Sequence, residues 1–322
     1  ISESHSKEIH WRKNAAYLVT GGLGGMGLSL ARWMADQGVQ HIMLLGRSKL
    51  PDRKEWSTLP TEHPRYLAVS TIETLESKGV EVVLGVHDVA DKQGMESLRD
   101  SLDRPLGGIF HAAGLWEDCP LRDLQGPLLD AVMRPKVVGS WVLHEVFGRD
   151  DLDFFIMFSS FSSFLPPRGQ ASYAAANTFM DALARYRRQI GQSAMSVNWG
   201  PWSDIGFGAT EFGEKAHQSL ERMGIKRTRP AEGFEILDRL MCTDLTNSGV
   251  ISVDWAKLAK AEPALSQTFF DEVAVRDAAE GSSGGDFAAS AAVLKAIHEG
   301  STDEGASVVK IQLRNLVAEV MN

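Results

Sequence analysis

Residues 170–177 read Gln-Ala-Ser-Tyr-Ala-Ala-Ala-Asn, which sets Tyr173 four positions before Asn177. At a spacing of i and i+4 the two side chains share one face of a helix. A phenol placed there can protonate an oxygen that gains negative charge, as a carbonyl oxygen does when hydride attacks its carbon. Such a site needs a donor that polarises the carbonyl, an acid that protonates it, and a cation that makes the acid competent. A free phenol has a pKa of about 10, and a cation about 5 Å away at an effective dielectric near 20 contributes roughly 3 kcal/mol, about two pKa units. Asn177 carries no charge, so the cation has to come from another element.

A second constellation begins at Thr20-Gly21-Gly22-Leu23-Gly24-Gly25-Met26-Gly27, between the apolar run YLVT and the amphipathic stretch LSLARWMADQG. Gly22, Gly24 and Gly27 form GxGxxG after a strand and at the opening of a helix, the context in which the motif has a mechanism. Glycines let the chain turn tightly and let a pyrophosphate approach the helix N-terminus, where free N–H groups and the dipole favour anions. About twenty residues on, where an NAD site carries an acidic residue against the ribose 2′-hydroxyl, the chain has Gly46-Arg47-Ser48. A guanidinium offers paired donors to a 2′-phosphate, so Arg47 and Ser48 point to NADPH rather than NADH. Asp88-Val89 is placed to meet the adenine, and Ala112-Ala113-Gly114 supplies small residues where a cofactor would lie. His111 reads as a hydrogen-bonded packing residue without a catalytic role.

The elements that must hold these residues follow from short β-rich runs at 17–20, 41–45, 80–86, 107–114, 153–160, 194–199 and 249–255, with segments long enough for crossover helices between most of them. Continuous apolar strands alternating with helices imply a parallel sheet covered on both faces. The expected fold is therefore α/β, a Rossmann-like doubly wound domain with a seven-stranded parallel sheet. Residues 48–78 exceed a tight crossover, and Pro51, Pro60 and Pro64 predict an irregular insertion before a helix near 66–77. DAAEGSSGGD at 277–286 reads as flexible, which divides the chain into a catalytic domain at 1–276, a linker at 277–305 and a terminal helix at 306–322.

Composition narrows the function classes. The 322 residues carry a formal charge of -9 with 43 % hydrophobic residues. No basic stripe supplies phosphate-neutralising charge, which argues against nucleic-acid binding. Cys119 and Cys242 have neither a CxxC spacing nor a nearby His pair, so they are expected to be reduced core thiols and no metal is implied. No apolar run approaches the roughly 18–20 residues that span a bilayer and the first residues are polar, so a cytoplasmic location without membrane partners is expected.

The motifs YLVTGGLGGMG, LLGRS, HAAG, RPKVVGSWVLHE, FSS, QASYAAAN and VNWGPW together resemble the ketoreductase domains of modular type I polyketide synthases, members of the short-chain dehydrogenase/reductase superfamily. The resemblance runs from about Ala16 to Lys260. It implies that lysine and asparagine are exchanged relative to ordinary short-chain reductases, so that Lys136 supplies the cation and also holds the nicotinamide ribose while Asn177 orders the relay. It also implies that Ser160, thirteen residues before Tyr173, donates to the substrate carbonyl, with Ser159, Ser162 and Ser163 as neighbours that could take that part. Pro201 and Trp202 of NWGPW match the loop that positions the nicotinamide, and residues 203–224 match a substrate-covering lid.

The resemblance further implies reduction of a β-ketoacyl thioester on the phosphopantetheine arm of an acyl carrier protein to the β-hydroxyacyl thioester. At the family's Leu-Asp-Asp position stands Trp116-Glu117-Asp118, which keeps the aspartate associated with D-hydroxy, or B-type, products. The tryptophan that marks A-type domains would fall at Leu165, and the B-type proline after the tyrosine is replaced by Ala175. Family members carry an N-terminal structural subdomain, whereas about fifteen residues precede the first strand here. That half is expected as a partner, either removed from the chain or separated in the parent by an inserted enoylreductase domain. Residues 306–322 resemble the first helix of a carrier domain but stop before an Asp-Ser-Leu attachment site, so this chain is expected not to carry its own substrate. Two other readings fit fewer residues: a cofactor-binding scaffold without turnover, and a stand-alone reductase of small carbonyl compounds.

Overall fold

A computed structural model describes residues 9–261. Its strands are β1 (Ala16–Thr20), β2 (His41–Gly46), β3 (Glu81–Val86), β4 (Leu106–His111), β5 (Phe154–Ser160), β6 (Met195–Trp199), β7 (Ile225–Lys226), β8 (Asn247–Val250) and β9 (Ser252–Val253). Its helices are α1 (Gly25–Asp36), α2 (Tyr66–Ser77), α3 (Lys92–Asp100), α4 (Gly126–Phe147), α5 (Ala171–Gln189), α6 (Glu211–Arg222), α7 (Pro230–Met241) and α8 (Trp255–Ala261).

Seven strands form one sheet in the order β3-β2-β1-β4-β5-β6-β8, and every pairing in it is parallel. The expected α/β doubly wound, Rossmann-like fold with a seven-stranded parallel sheet is therefore present. Strand order reverses between β1 and β4, and in open α/β sheets ligands bind beyond the carboxyl ends of the strands at such a switch point. The glycine loop leaves β1 there and Ala112–Gly114 leaves β4 beside it.

Side-chain alternation sends successive residues to opposite faces. Tyr17 and Val19 of β1, with Ile42 and Leu44 of β2, join the core under α1, α2 and α7 around Leu30, Met34, Ile72 and Leu237. Ala16, Leu18, Met43 and Leu45 join the opposite core, under α3, α4 and α5, around Met95, Leu143 and Met180. Burying both faces is what makes these strands apolar without a polar alternation, and each fully buried Leu or Met contributes about 1.5–3 kcal/mol.

The described residues fall into two units. The first holds the seven-stranded sheet; the second takes residues 218–226 and 251–261. The expected seventh strand at 249–255 is corrected here. The large sheet takes Asn247–Val250 as β8, whereas β9 pairs antiparallel with β7 inside the second unit. Asp254 ends the extended run because its carboxylate accepts from the Lys257 N–H at 3.0 Å and so caps α8.

The helix expected near 66–77 is α2, and the proline-rich insertion contains only a short turn of helix at Arg53–Thr58, anchored by Trp56, whose indole donates to the Pro51 carbonyl at 2.9 Å. Both cysteines are free and half-buried, so they are not core thiols in the full sense. No helix among the described residues is long and apolar enough to cross a membrane. The linker at 277–305 and the terminal helix at 306–322 lie outside the described residues.

Trp11 ties the segment before β1 to this frame, with ring centroids 4.9 Å from Tyr17, 5.9 Å from Trp33 and 5.4 Å from Phe154. Its indole is partly buried, so Trp11→Ala should cost about 2–3 kcal/mol, somewhat below a fully buried tryptophan. The expected result is a melting temperature lowered by about 4–10 °C in a thermal scan.

Candidate active site

The turn after β1 is shaped by close approach. A Cβ on Gly22 would lie 2.8 Å from both the Leu44 Cα and the Val19 carbonyl oxygen, and one on Gly25 would lie 2.5 Å from the Gly206 amide nitrogen. Gly21 has φ +66°, a left-handed conformation that glycine adopts without cost. Gly24 caps α1 with no side-chain hydrogen bond, and no acidic residue sits in the first turn. The N-terminus of α1 therefore keeps its donors for an anion.

Around it, Thr20 is buried and its Oγ1 accepts from the Ala113 N–H at 3.2 Å and pairs with His111 Nδ1 at 2.8 Å. Leu23 lies over Gly46 at the end of β2. Arg47 and Ser48 are exposed just beyond, and Arg47 makes no side-chain hydrogen bond or ion pair among the described residues. Asp88 accepts from the Ala90 N–H at 2.9 Å and from Arg134 at 3.3 Å, while Val89 is buried against Gly139 of α4. Free donors at a helix terminus, a glycine cradle and an unpaired guanidinium at the ribose end fit a phosphorylated dinucleotide.

Four catalytic candidates meet beyond the carboxyl ends of β4 and β5. Lys136 of α4 is 4 % exposed, its Nζ donates to the Phe158 carbonyl at 2.9 Å, and it sits 5.4 Å from the centre of the Tyr173 ring. A Cβ at Gly114 would lie 2.9 Å from Lys136 Cε, so any side chain there would displace the lysine stem. Burial pulls the Lys136 ammonium down to about 7, opposed by the negative charge of Asp181. His111, fully buried beside it, is pushed down to about 3 by burial and then by Lys136, and so is a neutral packing residue as expected. Ser160 ends β5, is buried, and accepts from the Ser162 N–H at 3.2 Å.

Tyr173 departs from expectation in its electrostatics. Its pKa is raised, because burial outweighs the hydrogen bonding of Asn177 and Ser160 that pulls it down. Lys136, itself desolvated and hydrogen-bonded to a main-chain carbonyl, does not offset that burial, so the net shift is upward rather than the anticipated lowering. Asn177 donates from Nδ2 to the Tyr173 carbonyl at 2.8 Å, which leaves Oδ1 buried without a partner.

Behind these residues lies a polar network that the sequence reading did not single out. Asp181 of α5 accepts from Ser196 Oγ at 2.5 Å and from Asn198 Nδ2 at 2.8 Å. Asn198 also lies 3.0 Å from Ser159 Oγ and 2.7 Å from Ser163 Oγ, and its Oδ1 accepts from Asn247 at 2.6 Å. Ser159 in turn donates to the Asn177 carbonyl at 3.3 Å. The available signal was a charge at 181, one turn after Asn177 and two after Tyr173, on the buried face that also carries Ala176, Met180 and Ala184.

The NWGPW loop turns its aromatic rings into the core. Asn198 faces this network, and the Trp202 ring is buried 4.7 Å from Trp199 and 5.4 Å from Phe234, over Gly233. Trp202 and Pro201 can thus meet a cofactor only through main chain or through the proline ring. Trp116 lies over Tyr173, stacked at 5.8 Å and 15°, and its indole N–H donates to Asp118. The loop is joined to the approach to α5 through the Cys119 N–H, which donates to the Gly169 carbonyl at 2.8 Å. Leu165 is buried after the turn that follows β5.

Residues 15–204 match the family model of the KR domain. The chain belongs to the ketoreductase family of polyketide synthases. It is 40 % identical over 238 residues to a phenolphthiocerol/phthiocerol polyketide synthase of Mycobacterium tuberculosis, covering 72 % of this chain and 12 % of that protein. It is 36 % identical over 243 residues to 6-methylsalicylic acid synthase of Penicillium terrestre, covering 74 % and 14 %. Among solved structures, an A-type ketoreductase from a modular polyketide synthase superposes with a TM-score of 0.68 at 36 % identity, over 77 % of this chain and 49 % of that one. The first ketoreductase of the tylosin synthase superposes with a TM-score of 0.67 at 32 % identity, over 79 % and 52 %. The chain therefore spans about half of those ketoreductases and a small part of the synthases.

As a ketoreductase domain of the short-chain reductase type, the protein belongs to enzymes that use NAD(P)H. The cradle makes a sharp expectation: Gly22→Ala should weaken dinucleotide binding by about tenfold or more and destabilise the fold by about 1–3 kcal/mol, because backbone rather than a movable side chain meets the new methyl. A fluorescence titration with NADPH, paired with a urea melt, measures both.

Proposed function

We propose that this domain uses NADPH to reduce the β-carbonyl of a β-ketoacyl thioester, presented on the phosphopantetheine arm of an acyl carrier protein, to a D-β-hydroxyacyl thioester. The observation that carries the reading is the buried Lys136 ammonium 5.4 Å from the Tyr173 ring, with Asn177 one turn along the same helix and Ser160 at the end of β5. NADPH, when bound, supplies the hydride that the carbonyl carbon receives.

Thr20 to Gly27, with Asp88, Val89, Ala112, Ala113 and Lys136, would hold the cofactor, and Arg47 with Ser48 would take its 2′-phosphate. The Ser160 oxygen already accepts from a backbone N–H, so its own proton is free to bond the substrate carbonyl. Tyr173 gives its proton to the oxygen as charge develops there. A raised phenol pKa suits this direction, since a reductase needs the phenol protonated and the alkoxide it protonates is far more basic. Lys136 balances the charge left on the phenolate. The unpartnered Asn177 Oδ1 is an acceptor for the water that returns the proton.

Trp116 stacks on the phenol ring and its indole bonds Asp118, and this aspartate, together with the absence at Leu165 of the tryptophan that marks A-type domains, supports the D-alcohol. The A-type relatives among the solved structures are the observation that favours the opposite product. The carrier protein, the neighbouring synthase domains with an N-terminal structural half, and a cytoplasmic location complete the proposal.

The test is NADPH consumption with a short β-ketoacyl N-acetylcysteamine thioester and chiral analysis of the alcohol. Tyr173→Phe should lower kcat by about 10²–10⁴-fold, and survival of turnover in that variant would refute the relay. Arg47→Ala should raise the KM for NADPH about tenfold while leaving that for NADH unchanged. Saturable NADPH binding without turnover, before and after an N-terminal subdomain is added back, would select the scaffold reading.

The pH dependence has a defined sign. The relay needs Lys136 charged, so kcat/KM should fall as pH rises through about 7, where that ammonium loses its proton. The phenol, shifted upward, stays protonated across that range and does not set this limb.

A further inference from the structure

Lys136 and Asp181 are 4 % and 6 % exposed, on neighbouring helices of the same sheet face, and among the described residues neither forms a direct ion pair. Isolated buried charges are costly, and groups in such sites neutralise unless something compensates them. The ammonium is bonded to a neutral carbonyl and the carboxylate to a hydroxyl and an amide, so each is hydrogen-bonded without being electrically balanced by its own partners.

The other titratable groups around Lys136 cannot balance it: His111 of β4 is neutral, Tyr173 of α5 is a protonated phenol, and Glu117 and Asp118 of the loop after β4 are exposed. Strand β5 offers only main-chain oxygen and serine hydroxyls. Arg187, the buried cation further along α5, bonds the Ser193 carbonyl and His144 instead. Among these described groups Asp181 is the remaining carboxylate: Asn198, which holds it, also bonds Ser159, the neighbour of the Phe158 whose carbonyl takes the Lys136 ammonium, and its charge acts in the direction that favours that ammonium.

We propose that Asp181 is a positioning residue for the reduction, its carboxylate serving as the buried counter-charge of the Lys136 ammonium while Ser196 and Asn198 hold it in place. The proposal rests on the reading of Lys136 as the relay cation. Asp181→Asn is a mild change in shape: the new amide oxygen still accepts from Asn198, and the Ser196 hydroxyl can turn to accept from the amide N–H.

The experiment measures kcat/KM for the β-ketoacyl N-acetylcysteamine thioester against pH in the wild type, Asp181→Asn and Asp181→Glu, with Asp181→Ser as the second charge-removing variant should the first not fold. In parallel, the Lys136 signal of 13C-lysine-labelled protein, assigned by its loss in Lys136→Met, is titrated by NMR without substrate. Removal of the carboxylate should move both the alkaline limb and the Lys136 midpoint to lower pH, by on the order of one unit, and Asp181→Glu should leave them near wild type. A uniform loss of activity with an unmoved limb and an unmoved Lys136 midpoint would overturn the proposal and leave Asp181 a packing residue. Should the wild type lack turnover, the functional reading fails separately, and the NMR midpoint still decides the pairing.

Discussion

The constraint from which the site follows is the burial of one ammonium group. Moving a lysine out of water costs several kcal/mol unless its surroundings replace that hydration, so every element near Lys136 has to concede something. Gly114 gives up a side chain to let the stem pass, and the Phe158 carbonyl, near the carboxyl end of β5, gives a lone pair. His111 remains neutral, because a second buried cation beside the first would add repulsion to desolvation. The phenol, half-buried under Trp116, keeps its proton.

The sheet makes these concessions possible by fixing register. In the β5–β6 pairing Ser159 lies opposite Asn198 and Ser160 opposite Trp199. Since side chains alternate, Ser159 and Asn198 turn together toward α5, while Ser160 closes the strand and its oxygen accepts from the Ser162 N–H. A one-residue slip would turn Ser159 and Asn198 to the opposite face and remove the anchor of Asp181 in one step. Packing of the helices on β5 and β6 is therefore part of the chemistry, and apolar burial around Met157, Met180 and Leu183 holds the polar network in register.

The fold was legible, and the candidate site residues could be named, because each rests on a local signal. GxGxxG between a strand and a helix, seven apolar runs and a tyrosine with a partner at i+4 are patterns that a chain carries in its own order. What was not legible depends on contacts between distant segments. The last strand was misjudged because Asp254 ends it by capping a helix, and a cap is a single short side chain inside an apolar run. Asp181 was passed over because its partners, Ser196 and Asn198, arrive from another strand. Trp202 was read by its motif, whereas packing against α7 decides where its ring goes.

The exchange of lysine and asparagine that the resemblance implies can be put in the same terms. The proposed relay needs an ammonium near the phenol, and whether α4 or α5 provides it is immaterial to that requirement. The cost of moving it lies elsewhere. With the charge on α5 the acid and its cation would ride on one helix and keep their separation by covalent geometry. With the charge on α4 the separation is set by the packing of α4 on α5, so it must be fixed by additional contacts. The amide left at 177 supplies one by donating back to the Tyr173 carbonyl, and Ser159 supplies another by donating to the Asn177 carbonyl, which ties α5 to β5. Lys136 reaches the same strand through the Phe158 carbonyl, so acid and cation are both referenced to β5 rather than to each other.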